Sequence, residues 1–119
     1  MREENLQIRT AATEEGDLVQ LIGALTLGTM FPLQALIRQQ AKAPWLVLDM
    51  TDVEYVDSAG LGLLVNAHVS TTKNSRKLLL VGVPERVQNL LKITHVDELF
   101  IRAATLDEAQ QIMLRASEA

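Results

Sequence analysis

The sequence has no cysteine. This excludes a disulfide framework and every thiolate metal site. Aromatic residues make up 3% of the 119 positions, while 48% are hydrophobic, so the core must be built from Leu, Ile, Val and Ala. His68 and His95 are the only two histidines, and with no Cys beside them they lack metal-ligand spacing. Basic clusters are also missing. Eleven Lys and Arg against 15 Asp and Glu leave a formal net charge of −4, and Arg76-Lys77 is the only adjacent basic pair. Nucleic-acid binding relies on clustered Lys and Arg that displace counterions, so no direct nucleic-acid partner is expected. The Arg76-Lys77 pair reads as a solvated entry to a strand. Apolar runs stop at about five residues, far short of the ~20 that span a bilayer, so no membrane insertion is expected. Met1-Arg2-Glu3-Glu4-Asn5 leads into no signal-peptide apolar stretch, which makes a cytoplasmic location the expectation. There is no Gly-x-x-x-x-Gly-Lys-Ser/Thr loop, and no cofactor is expected.

What remains is a patterned chain of a length that suits one domain, residues 1–119, with its core at about 5–117. Leu6 and Ile8 alternate with Gln7 and Arg9, a half-buried strand over 6–10. A second strand over 18–23 follows the turn-like cluster Glu14-Glu15-Gly16-Asp17, and the two form an antiparallel hairpin. From Thr29 the period becomes helical, with Leu33, Leu36, Ile37 and Ala41 on one face, Pro32 in the first turn and Pro44 as the stop. Trp45-Leu46-Val47-Leu48-Asp49-Met50 is apolar enough to be buried on both faces, as parallel strands are. A helix starts near Ser58, with Leu61, Leu64, Val65 and His68 inward, and closes at Lys73-Asn74-Ser75. A strand follows over 78–83, then a helix opened by Pro84 with Val87, Leu90, Leu91 and Thr94 as its core face. Leu99-Phe100-Ile101 reads as a short last strand. A capping box at Thr105 and Glu108 starts a final helix with Ala109, Ile112, Met113 and Ala116 inward. The order predicts an α/β fold: a mixed, mostly parallel sheet of about five strands, an N-terminal antiparallel hairpin and four helices.

Chemistry concentrates at Val56-Asp57-Ser58-Ala59-Gly60-Leu61-Gly62, between a buried strand and the helix after it. Ligands and partners of open α/β sheets gather beyond the carboxyl ends of the strands, and a helix N-terminus favours an added anion. Asp57 and Ser58 are both good N-caps. Gly60 and Gly62 cost helix stability, so another backbone must come close there, either this chain's own loops or a partner's surface. By local pattern alone Ser58 could be no more than a cap.

The segment Leu46-Val47-Leu48-Asp49-Met50 through Asp57-Ser58-Ala59-Gly60-Leu61-Gly62 resembles the signature of STAS domains, and in particular the bacterial anti-sigma factor antagonists. Gly23-Ala24-Leu25-Thr26, Leu90-Leu91-Lys92-Ile93-Thr94-His95-Val96, Phe100 and Thr105-Leu106-Asp107-Glu108-Ala109 extend the resemblance over nearly the whole chain. The resemblance implies an anti-sigma factor antagonist whose unphosphorylated form binds an anti-sigma factor with serine kinase activity and frees a sigma factor. Ser58 would be the phosphorylation site, and phosphorylation would break the complex until a phosphatase reverses it. Asp57, Ser58, Ala59, Gly60, Leu61, Gly62 and the loop residue Thr26 would form the partner-binding surface. Three positions depart from the family pattern: Thr26 where an acidic residue is common, Ala59 where Ser or Thr often stands, and His95 where glycine is frequent, at a left-handed turn. No basic residue neighbours Ser58, Lys42 and Lys73 being the nearest along the chain. The phosphate would therefore act at the interface and leave the fold nearly unchanged.

A catalytic reading of Ser58 finds little support. A hydrolase elbow needs Gly-x-Ser-x-Gly, and Val56 holds the first glycine's place. His68 would lie roughly 13 Å or more along the helix. No enzyme activity is expected. The rival reading is a non-switching STAS scaffold module in a signalling assembly or transport complex.

Overall fold

Leu6 and Ile8 point inward from β1 (Leu6–Ala12), while Gln7 and Arg9 are exposed. In the computed structural model, which describes residues 4–39 and 43–117, β1 pairs antiparallel with β2 (Gly16–Leu25) from Leu6↔Gly23 to Ala12↔Asp17. The chain continues through α1 (Met30–Gln39), β3 (Trp45–Val56), α2 (Ser58–Lys73), β4 (Lys77–Val81), α3 (Glu85–Ile93), a 3₁₀ turn (Asp97–Leu99), β5 (Ile101–Ala103) and α4 (Leu106–Ser117). The strands lie in the order β1-β2-β3-β4-β5, and all pairs after the hairpin are parallel. This is the mixed five-stranded sheet with four helices that the pattern implies.

Every residue from Trp45 to Met50 is buried, and the two faces of the sheet divide them. Leu46, Leu48 and Met50 join Leu33 and Ile37 of α1, Leu63, Leu64 and Ala67 of α2, and Val87 and Leu91 of α3. Trp45 and Val47 turn the other way, with Leu79, Val81, Ala103 and Ala109 under α4. Each fully buried Leu contributes about 1.5–3 kcal/mol relative to exposure. The parallel strands need this double cover, because their helical crossovers fill both faces.

Several boundaries move for physical reasons. β3 runs six residues past Met50, to Val56, because its polar end still pairs with β2 through two register shifts. β5 starts at Ile101, since the 3₁₀ turn takes up residues 97–99 and leaves Leu99 exposed. The buried stripe of α2 is Gly60, Leu63, Leu64, Ala67 and Thr71, so the expected Leu61, Val65 and His68 are only half-buried. Thr94 is exposed at the end of α3, its hydroxyl donating back to the Leu90 carbonyl at 2.7 Å. Ala116 is exposed on α4. The Thr105–Glu108 cap forms as expected: Glu108 N–H donates to Thr105 Oγ1 at 3.1 Å, and the Glu108 carboxylate reaches back to accept from Ala104 N–H at 3.0 Å. His95 has φ +60°, the left-handed conformation expected there. Ala41 and Lys42 lie outside the described residues.

Arg76 is not a solvated strand entry. It is 8% exposed, and its guanidinium donates to Asp17 Oδ2 at 3.0 Å and to the Ala43 carbonyl at 2.6 Å. A buried cation needs a counter-ion, and Asp17 supplies it from inside β2 instead of from a turn. Lys77 is exposed, its ammonium 5.4 Å from the centre of the Trp45 ring.

Candidate functional site

The site begins where β3 ends. Val56 pairs with Leu25 across the sheet, so the last residues of β2 and β3 leave it side by side. Asp57, in extended conformation, is the N-cap of α2, and Ser58 is the first helical residue. One Asp57 carboxylate oxygen accepts from Gly60 N–H at 2.8 Å. The other accepts from Leu27 N–H at 3.0 Å, across to the loop between β2 and α1. Asp57 N–H donates to the Leu25 carbonyl at 3.2 Å. One acidic side chain thus satisfies an orphan donor of the helix start and ties the neighbouring loop to it.

Fixing Asp57 as the cap frees Ser58. Its side chain is exposed, and its hydroxyl makes no hydrogen bond among the described residues. It stands at the positive end of a 16-residue helix, where added negative charge is tolerated. Ala59 and Leu61 are half-buried, and Leu61 packs against the main core. Leu27 and Phe31, on the loop and the first turn of α1, are 60% and 58% exposed. Asp57, the residue before Ser58, is thus bonded to a loop that carries large apolar side chains in solvent.

The two glycines have different roles. Gly60 is buried, and a Cβ there would overlap the Leu25 carbonyl oxygen. The chain's own β2 is the backbone that comes close. Gly62 has nothing within 4 Å of the place its Cβ would occupy.

Thr26 does not present its side chain to solvent; it is 1% exposed. Its hydroxyl donates to Glu4 Oε2 at 2.6 Å, its N–H donates to Thr29 Oγ1 at 2.9 Å, and its carbonyl accepts from Met30 N–H at 2.9 Å. It shapes the loop that displays Leu27. Glu4 and Thr29 are the residues that sequence pattern missed here; only the Ser/Thr-rich turn chemistry of Thr26 and Thr29 hinted at them.

No histidine reaches Ser58 along its own helix. His68 stands ten residues further on, roughly 15 Å by helical rise, with its ring edge-on to Phe100 at 6.1 Å between centroids. Lys73 closes α2, roughly 22 Å from Ser58 by the same measure. Among the described residues no three His, Asp or Glu side chains converge as a metal site requires, and no helix is long and apolar enough to cross a membrane.

A five-stranded sheet with one antiparallel edge, and an Asp-capped helix opening on an exposed serine, define a class. The STAS domain model matches residues 9–109, and the chain belongs to the STAS domain family. The anti-sigma-B factor antagonist of Staphylococcus aureus is 29% identical over 97 residues, covering 80% of this chain and 90% of that one. The crystal structure of an anti-sigma factor antagonist from Mycobacterium paratuberculosis superposes with a TM-score of 0.79 at 21% identity, over 92% of this chain and 94% of that one. The same fold forms part of the murine Solute Carrier 26 family member A9 anion transporter, with a TM-score of 0.74 and 17% identity over 88% of this chain and 18% of the transporter.

Proposed function

We propose that this chain is an anti-sigma factor antagonist that acts as a binding module in the cytoplasm, with no catalytic activity of its own. Unphosphorylated, it binds an anti-sigma factor with serine kinase activity and so frees a sigma factor. Phosphorylation of Ser58 by that partner disrupts the complex, and a phosphatase restores it. The observation that carries the reading is the exposed Ser58 hydroxyl on the first residue of α2, without a hydrogen bond among the described residues. The antagonist relative matched over most of the chain supports it.

The physical chemistry favours disruption at the interface. A phosphate adds about −1.5 to −2 charges and three acceptor oxygens. It would sit on the residue next to Asp57, whose carboxylate already engages Gly60 and Leu27 N–H groups. A partner covering Leu27 and Phe31 would have to desolvate that dianion, at a cost no basic group adjacent in sequence offsets. The fold itself need not move, because the Ser58 hydroxyl makes no hydrogen bond among the described residues.

The test is direct. The protein is incubated with ATP and candidate anti-sigma kinases encoded near its gene, then analysed by mass spectrometry. The expected product is heavier by about 80 Da, one phosphoryl group, on Ser58, absent from Ser58→Ala and unable to hold the kinase in a pull-down. Failure with every candidate, together with wild-type behaviour of Ser58→Ala and Ser58→Asp in cells, would refute the switch. That outcome would leave a non-switching scaffold role.

A further inference from the structure

We propose that the hollow between the last turns of α2 and the edge formed by β4 and β5 binds a small monocarboxylate with an apolar chain or ring. The site is separate from Ser58 and independent of the antagonist reading. Thr72, in its wall, lies roughly 21 Å beyond Ser58 along α2.

His68 and the adjacent basic pair Arg76-Lys77 stand out in the sequence, and none of them belongs to the Ser58 site. The fold brings all three to one hollow of about 350 Å³, within the size range of small-molecule sites. It opens because β5 is short. β4 starts at Lys77, but its pairing with β5 begins at Leu79, so among the described residues the first two positions of β4 have no strand on that side. Leu78, Leu99 and Ile101 give the hollow an apolar wall, and the chain leaves Leu99 and Ile101 42% and 39% exposed. His68, Thr72, Ser75 and Lys77 supply N–H and O–H donors around it. The side chains of His68, Thr72 and Ser75 make no hydrogen bond among the described residues, and Lys77 pairs with no acid there. An apolar surface with a few converging, uncommitted donors is the ordinary make-up of a ligand site.

Charge sets the class of ligand. The chain carries a net charge of −4, yet no acid among the described residues lines this hollow. Asp97 and Glu98, in the turn before Leu99, stay outside its wall. The Arg76 charge is already countered by Asp17 at 3.0 Å. Lys77 is the exposed cation of the wall, with its ammonium 5.4 Å from the centre of the Trp45 ring on a stem flexible enough to swing to a ligand. One such cation calls for one negative charge. A phosphate dianion is disfavoured, because α2 ends here and a helix C-terminus carries partial negative charge. A single carboxylate can meet Lys77 and the hydroxyls of Thr72 and Ser75, with its apolar part against Leu78, Leu99 and Ile101. The apolar hollow beside α4 does not suit such an anion, since Glu15 lines it and no Lys or Arg does.

The experiment titrates the full, isotope-labelled chain, followed by nuclear magnetic resonance. The probes are sodium octanoate, octylammonium chloride with the same chain and opposite charge, and sodium acetate with the same charge and no chain. Octanoate should shift the signals of His68, Thr72, Ser75, Lys77 and Ile101 along saturating curves, and bind about tenfold more tightly than either control. Lys77→Glu and Thr72→Glu each put an acid at an exposed position of the wall, so both should melt as wild type does and weaken octanoate about tenfold. Lys77→Gln, which removes only the charge, should weaken it about threefold. Lys77→Glu should also bind octylammonium more tightly than wild type does. Ser58→Asp should leave octanoate affinity within about twofold, because the two sites are far apart. Equal binding of octanoate and octylammonium, shifts centred on the hollow beside α4, or unchanged affinity in the Lys77 and Thr72 variants would overturn the inference. So would octanoate that moves no signal below about 10 mM, or acetate that binds as tightly as octanoate. None of these results bears on whether Ser58 is phosphorylated, so the antagonist reading stands or falls separately.

Discussion

Replacing Asp57 by alanine should cost about 2 kcal/mol, with the loss divided between two elements. Its carboxylate caps α2 through Gly60 N–H at 2.8 Å and holds the β2–α1 loop through Leu27 N–H at 3.0 Å. Loss of an N-cap oxygen costs about 1 kcal/mol. Loss of a second, solvent-exposed hydrogen bond costs about another 0.5–1.5 kcal/mol. For a domain of this size the sum lowers the melting temperature by roughly 8 °C. Asp57→Asn separates the contributions. Its amide keeps one acceptor oxygen, so either Gly60 or Leu27 keeps its partner while the other amide faces an NH₂ group. That variant should lose about half as much, about 1 kcal/mol. Urea unfolding gives the free energies, and amide hydrogen exchange shows which contact was lost. In Asp57→Ala both Leu27 and Gly60 amides should exchange faster, and in Asp57→Asn only one of them. The loop keeps its internal bonds from Thr26 to Thr29 and Met30, so it should loosen without unfolding. Partner affinity should therefore fall even though Ser58 is intact. A cost under about 0.5 kcal/mol for Asp57→Ala, the range of ordinary surface substitutions, would refute the reasoning. So would full protection of both amides in Asp57→Asn.

Asp17→Ala takes the counter-ion from a guanidinium that is 8% exposed, and should cost about 3–5 kcal/mol in urea unfolding; a loss under about 1 kcal/mol would mean that the pair is solvated. His95→Gly relieves a left-handed backbone at φ +60° and should raise stability by about 0.5–1 kcal/mol, read as an upward shift in melting temperature. A downward shift would show that the imidazole makes a stabilising contact. Gly60→Ala drives a methyl group into the Leu25 carbonyl and should destabilise by about 1–3 kcal/mol. Ser58→Ala should leave unfolding within about 0.5 kcal/mol of wild type, because the hydroxyl makes no hydrogen bond among the described residues; a larger loss would make the serine a structural residue.

The elements were legible wherever apolar residues set a clear period. Trp45 to Met50 read as doubly buried because a parallel strand under helices on both faces has no polar side to show. The alternation of Leu6 and Ile8 placed the hairpin edge for the converse reason. Legibility failed where a polar residue was held by a distant partner. Asp17 looks like a turn residue, and only Arg76, 59 positions away, makes it a buried acid of β2. The far end of β3 escaped notice because its two register shifts break the period-2 signal that identifies a strand. Thr26 resembled a surface residue, and its burial depends on Glu4, 22 positions earlier in the chain.

The site shows the same division. Asp-Ser at a strand-to-helix junction announces a capped helix in any sequence, but not which of the two residues caps it. The answer comes from the loop opposite: Leu27 N–H needs an acceptor, and the Asp57 carboxylate, with two oxygens, serves it and Gly60 together. With Asp57 as the cap, the Ser58 hydroxyl is left without a hydrogen bond among the described residues. The glycines divide in the same way. Gly60 is explained by the chain's own Leu25, whose carbonyl a Cβ would overlap, whereas a Cβ at Gly62 would stand in open space.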